Sequence, residues 1–273
     1  MADAHNDGID WAAASKAFDE LLVPTMFQPW SEDVVARAGI NSGDYVLDLG
    51  CGTGPAALAA AMRAGTSGRV VAIDTQPAML AIGKAKPNTG APIEWLVGDA
   101  QALNYAAGTF DAVVACHLLQ HLPDPAKALS EIRRVLKKGG RFTTTCWRHF
   151  DHCPAYGSLI RGMARESGVE PEKVHAAAGY RLGDENKLKS LLSDAGFTDI
   201  TLATVSKPTP FTSADGFIQA VSKGGPFTRK SLESYETAAR ERIFEDVRAM
   251  LAKYVTNGRV EVPFVAHILT ARA

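Results

Sequence analysis

Tyr45-Val46-Leu47-Asp48-Leu49-Gly50-Cys51-Gly52-Thr53-Gly54 is the stretch from which the rest of the chain is read. Apolar residues flank one acid and run straight into three alternating glycines, the pattern of a buried strand that ends in a tight loop with few side chains. Pro55 then opens an Ala-rich run, and proline suits the first position of a helix. A strand, a glycine loop and a helix N-terminus in that order turn backbone N–H groups toward a ligand.

Outward from this loop, strand and helix patterns alternate from residue 45 to about 147. Strands are expected at 45–49, 69–73, 93–97, 110–115 and 141–146. Helices are expected at 55–64, after Pro77, and at 125–136, the last closing at Lys137-Lys138-Gly139-Gly140. Each right-handed crossover between parallel strands needs a helix, so the alternation implies a parallel sheet covered on both faces. Ligands in such sheets bind at the carboxyl ends of the strands. That rule sets Asp48–Gly54, Asp74, Asp99 and Cys116–His121 along one rim.

After Trp147 the alternation stops. Residues 148–183 read as a helical insertion, with a charged helix near 170–178, and 184–212 as a return to the core with a strand at 200–205 and a turn at Pro208–Pro210. Residues 213–255 read as a second helical insertion and 256–273 as the final strand. Before the first strand, 1–38 carries Trp11, Phe18, Leu22, Met26, Phe27 and Trp30 on two or three helices. These either pack on the core 39–147 or, through Phe27, Gln28 and Trp30, form a lid over the glycine loop. Together the insertions form a cap around a small, largely apolar substrate.

Glycine loops also serve as plain turns, but here Asp74 stands at the end of the second strand, 20 positions beyond Gly54. An acid there accepts hydrogen bonds from the hydroxyls of an unphosphorylated ribose, so an adenosine cofactor is expected. Pro55 replaces the glycine a pyrophosphate would want, and Asp48 and Asp99 bring the acids on the rim to three. Three carboxylates disfavour a phosphate-rich ligand and suit a cationic one.

Val46–Gly54, Asp74, Gly98-Asp99-Ala100, Phe110-Asp111-Ala112-Val113 and His121-Leu122-Pro123-Asp124 closely resemble the class I S-adenosylmethionine-dependent methyltransferases, most nearly the branch of ubiquinone and menaquinone biosynthesis. The resemblance is strong over residues 40–147 and implies a Rossmann-like α/β fold. Its seven-stranded, mostly parallel sheet has helices on both faces, and 200–205 and 260–271 would complete it. It further implies S-adenosyl-L-methionine as cofactor and S-adenosyl-L-homocysteine as product. Asp48, Gly50, Cys51 and Gly52 would lie along the methionine portion, Asp74 at the ribose, Thr75 and Gln76 beside the adenine, and Asp99 and Ala100 at its amino group. Cys116 and His121 would approach the methyl end. His117, His121 and His149 are the candidate catalytic groups, each with a plain structural alternative in loop hydrogen bonding.

His149, His152 and Cys153 have ligand chemistry but no fourth partner at a convincing spacing, so no metal is expected. A net charge of −1 offers nothing to a polyanion, so nucleic acid is not an expected partner. The four cysteines lack a C-x-x-C pair, the first residues lack a leader pattern, and no apolar run approaches the roughly 20 residues of a membrane span. The expectation is a cytoplasmic monomer or homodimer that methylates a small, largely apolar organic acceptor on oxygen or carbon. A nicotinamide-dependent oxidoreductase and a non-catalytic S-adenosylmethionine-binding module are the alternatives.

Overall fold

Short runs of Val, Ile, Leu and Phe cut by Gly, Pro and Asp form the strands of a single sheet, seen here in a computed structural model that describes residues 9–177 and 181–273. The polar segment 1–8 and the end of the helix expected at 170–178 lie outside the described residues. In chain order the first half runs α1 (Trp11–Leu21), α2 (Gln28–Arg37), β1 (Tyr45–Leu49), α3 (Pro55–Ala64), β2 (Arg69–Asp74), α4 (Pro77–Ala85), β3 (Ile93–Val97), β4 (Phe110–Cys116), α5 (Pro125–Val135) and β5 (Leu136–Trp147). The second half runs α6 (Pro154–Ser167), α7 (Pro171–Ala177), α8 (Glu185–Asp194), β6 (Thr198–Phe211), α9 (Ala214–Gly224), α10 (Pro226–Glu233), α11 (Thr237–Leu251), β7 (Val255–Thr256) and β8 (Arg259–Arg272).

The strand order is β3-β2-β1-β4-β5-β8-β6, with the two-residue β7 attached to β8. β1 to β5 are mutually parallel, and β8 runs antiparallel to both β5 and β6. The expected α/β sheet is therefore present, with seven strands on its main path. Because the chain steps from β1 outward to β3 and then returns to the other side of β1, a crevice opens at the carboxyl ends of β1 and β4.

Alternation along the strands sorts side chains between two helical layers. Val46, Val70, Ala112 and Val114 meet the alanines of α3 and Val34 and Val35 of α2 on one face. Leu47, Leu49, Val71 and Val113 meet Leu129 and Ile132 of α5 and Leu188 and Leu192 of α8 on the other. A third apolar cluster joins Leu22, Met26 and Trp30 to Trp147 and Phe264 and to α6, α9 and α11. It covers the β5 and β8 end of the sheet.

Two local expectations are corrected and two features are added. Lys137–Gly140 do not close a helix but belong to β5, where Leu136 already pairs with Phe110 and the Gly139 N–H donates to the carbonyl of Ala273 (2.9 Å). Pro208 and Pro210 do not form a turn. They lie inside β6, which is tolerated because β6 is the sheet edge and half of its backbone groups need no strand partner. Asn257-Gly258, with φ of 51° and 77°, makes a two-residue hairpin that adds β7, a signal present in the sequence but not read there. Finally, α1 and α2 are joined through a π turn, Val23–Phe27, at Pro24. Such turns are rare and often sit at functional sites, and this one turns Met26 and Phe27 toward the crevice.

Candidate active site

At the carboxyl ends of β1 and β4 lies a cavity of about 480 Å³. Its floor at one end is the glycine loop. Gly50, Gly52 and Gly54 have φ of 64°, 55° and 85°, in the left-handed region where a Cβ is costly. Gly54 admits no side chain at all, since a Cβ there would lie 2.2 Å from the Trp95 ring. Asp74 fastens the loop: one carboxylate oxygen accepts the Gly52 N–H (2.8 Å) and the other the Gln76 N–H (2.9 Å). Each oxygen retains a second lone pair for a ligand hydroxyl.

Asp48 is 1% exposed, and neither carboxylate oxygen has a hydrogen-bond partner of normal geometry. Burial, reinforced by the charge of Asp74, pushes its pKa well above the usual carboxylate range, with the Ala57 N–H in the first turn of α3 opposing this. No Lys or Arg lines the cavity among the described residues. An orphaned buried carboxylate in a cavity without cations fits a positively charged ligand group and does not fit a phosphate.

Of the residues singled out from the sequence, Asp48, Gly50, Cys51, Gly52, Asp74, Thr75, Gln76, Asp99, Ala100, Cys116, His117 and His121 all line this cavity. Asp99 holds its own loop by accepting the Gln101 N–H (2.8 Å). His149 does not line it. Its Nδ1 lies 3.1 Å from Asp151 and its ring leans on Phe150, so the proposed catalytic position is corrected to a loop beyond β5. Of the expected lid residues only Phe27 reaches the cavity. Gln28 donates to Glu32 (3.0 Å), and Trp30 is buried behind the wall against Trp147 (5.4 Å between ring centres).

His117 stands out within the wall. It is 4% exposed, has φ of 55°, and neither ring nitrogen has a partner. Its ring stacks on Trp147 at 3.8 Å and 16°, with Phe27 and Trp30 edge-on at 5.9 Å each. Its backbone N–H donates to Thr145 Oγ1 (3.0 Å), which holds the residue in a conformation costing a β-carbon-bearing residue about 1–2 kcal/mol. Burial first, and the nearby charge of His121 second, hold its imidazole neutral well below the ordinary pKa. His121 is held down to about 4, by surrounding protein and then by Arg181, yet its ring is open to the cavity. Gln120 bridges the two sides of this wall, accepting the Trp147 N–H (2.8 Å) and lying 3.3 Å from His121 Nε2.

The other end of the cavity is built by residues the sequence reading did not assign to the site. Leu22, Met26 of the π turn, Tyr156 of α6 and Thr228 of α10 close it, while Trp11 and Phe18 of α1 cover the cavity, with Phe18 over Gly52 of the glycine loop. The aromatic density of the N-terminal segment was the visible signal. Nothing local marks Tyr156 or Thr228.

The "Methyltransferase domain" family matches residues 47–144. The ubiquinone/menaquinone biosynthesis C-methyltransferase UbiE of Francisella philomiragia is 30% identical over 201 residues, covering 69% of this chain and 80% of the relative. Among solved structures, a putative methyltransferase from Bacillus halodurans superposes with a TM-score of 0.55 at 19% identity, covering 89% of this chain and 97% of that one. Phosphoethanolamine N-methyltransferase 2 of Haemonchus contortus, solved with S-adenosyl-L-methionine, gives 0.57 at 19%, covering 96% of this chain and 56% of that one. These two share the fold. Taken with the glycine loop, the acids at the strand ends and the cation-free cavity, the relationship means that the chain belongs to the class I S-adenosylmethionine-dependent methyltransferases.

Proposed function

We propose that the chain transfers the methyl group of S-adenosylmethionine to oxygen or carbon of a small, neutral, largely apolar acceptor. The observation that carries this is the cavity's mixed lining: acids and bare backbone at the strand ends, aromatic and aliphatic side chains over the rest of the wall, and no Lys or Arg among the described residues. An acceptor bearing phosphate or carboxylate would be desolvated there without a counter-charge.

S-adenosylmethionine supplies an electrophilic methyl on a sulfonium. The chain's own groups orient and exclude. In this reading Asp48 offsets the positive charge of the methionine portion, with the loop of Gly50, Cys51 and Gly52 beside it. Asp74 accepts the ribose hydroxyls, Thr75 and Gln76 flank the adenine, and Asp99 and Ala100 receive its amino group. Cys116 and His121 border the methyl end. His117 is the group proposed to accept the acceptor's proton, which requires its buried ring to turn a nitrogen from the Trp147 stack toward the cavity. Phe18, Phe27 and Trp147 keep water out, and holding nucleophile and methyl carbon in line in a dry site supplies much of the rate.

The nicotinamide alternative would set a pyrophosphate close to the buried Asp48, at a loop where Pro55 replaces the glycine that close packing wants. A non-catalytic module would not need the acceptor-sized apolar end. The protein is taken to act as a monomer or homodimer in the cytoplasm, independent of nucleic acid. No helix among the described residues is long and apolar enough to cross a membrane. A screen with methyl-labelled cofactor across phenols, quinols, amines, carboxylates and phosphate esters tests the acceptor class. Label is expected on neutral hydroxylated or carbon-nucleophilic acceptors, and label confined to carboxylates or phosphate esters would overturn the reading.

A further inference from the structure

The glycine loop is tied to its cover by polar contacts that neither the strand pattern nor the cofactor motifs account for. Thr53, within the loop and fully buried, donates from Oγ1 to Asp19 Oδ1 of α1 (2.6 Å). Lys86, immediately after α4, donates from Nζ to the same Asp19 oxygen (2.5 Å) and to the Thr53 carbonyl (3.0 Å). Three elements that border the cofactor end thus meet at one carboxylate: α1, whose Trp11 and Phe18 form the cover; the glycine loop; and α4, whose first turn follows Asp74-Thr75-Gln76. Phe18 completes the geometry, its ring edge lying 3.8 Å from where a Gly52 Cβ would stand.

We infer that Asp19 and Lys86 are positioning residues that latch α1 onto the glycine loop through Thr53, so that cofactor release requires this ion pair to open. The inference rests on the cofactor reading of the cavity given above. Two features make the contact suitable for a latch. The side chains of Lys86 and Asp19 are 25% and 22% exposed, enough for water and salt to reach the pair and enough cover for the attraction to matter. The rest of α1's grip on the cavity is apolar and non-directional, whereas the outer side of α1 packs closely on α9, where a Cβ on Gly224 would lie 2.9 Å from the Ala17 carbonyl. Helix α1 is therefore carried with α9, and Asp19 decides how it meets the loop.

The test is the dissociation rate of S-adenosylhomocysteine followed by tryptophan fluorescence, since Trp11 and Trp147 line the cavity. Asp19→Asn and Lys86→Met are expected to release it about tenfold faster, the scale of one charge-assisted hydrogen bond. Release from the unsubstituted protein should quicken as sodium chloride is raised, and this salt dependence should vanish in both variants. Asp19→Glu should restore part of the slow release. Hydrogen exchange without ligand supplies a second readout: the amides of α1 should exchange faster in the variants while those of β1 stay protected. A merely structural weakening would raise exchange throughout. Unchanged release with unchanged α1 exchange would overturn the latch. Failure of the unsubstituted protein to bind S-adenosylhomocysteine would instead overturn the cofactor reading, and the exchange of α1 would still decide whether the latch exists.

Discussion

The two ends of the cavity are made in different ways. The proposed cofactor end comes from one contiguous run of chain, in which every group sits at the carboxyl end of a strand or in the loop directly after it, so neighbouring strands position it through ladder hydrogen bonds. The proposed acceptor end is assembled from the π turn, the end of β5, α6 and α10, parts separated by up to two hundred or so residues and held mainly by side-chain packing. Backbone ladders give a rigid site for an invariant ligand. Packed side chains give a shape that is set by many distant choices, which suits the half of the site where the ligand differs between methyltransferases.

If the two ends are separable, substitutions should divide into those that cost cofactor affinity and those that cost turnover. The largest effect is expected for Asp74→Ala, which removes the proposed ribose acceptor and leaves the Gly52 and Gln76 N–H groups without their partner. S-adenosylhomocysteine affinity measured by calorimetry should fall about 100-fold. Unchanged affinity would remove the cofactor end from this loop. Next comes His117→Phe, which keeps a flat ring against Trp147 but deletes both nitrogens. Turnover of an acceptor found in the screen should fall about 100-fold while cofactor affinity is retained. Equal turnover across the pH range would make the His117 imidazole a packing group.

The smallest effects are on stability, and they should carry opposite signs at the two ends. His117 has its pKa depressed on folding, so the unfolded chain binds more protons as pH falls below about 6.5, and stability present at neutral pH is lost on acidification. Asp48 has its pKa raised, so its contribution is present at low pH and is lost as pH rises through the folded-state value. Asp48→Asn should therefore gain most in thermal midpoint over the unsubstituted protein at high pH, and the gain should shrink on acidification. His117→Phe should shift in the variant's favour as pH falls. His267 reinforces the acid loss seen in the unsubstituted protein. It is buried, with Nδ1 at 2.9 Å from Thr204 Oγ1 and Nε2 at 3.1 Å from the Gly183 carbonyl, and burial lowers its pKa. Midpoint differences that ignore pH would break the assignment of charge states.

How much was readable depended on the range of the interaction. β3 matched its expected bounds because Ile93–Val97 is a compact apolar run closed by Gly98-Asp99. β6 was read short because Pro208 and Pro210 stop a strand everywhere except at an edge, and edge position is a property of the finished sheet. His149 is a candidate because it stands just past the fifth strand beside His152 and Cys153, but the chain turns away through Phe150–His152. His117 was recognised as a polar residue at a strand end. Its positive φ and aromatic stack require Trp30, Trp147 and Phe27 to converge from three segments.

The sequence by itself determined the α/β sheet, the glycine loop and the acids that line the cavity beside it, because these follow from hydrophobic period, from the φ that only glycine adopts cheaply, and from groups fixed at strand ends. Tertiary structure alone decided the apolar wall of the cavity and the Asp19–Lys86 contact. Those depend on which distant side chains exclude water together, and burial of that kind has no signature in any short stretch of chain.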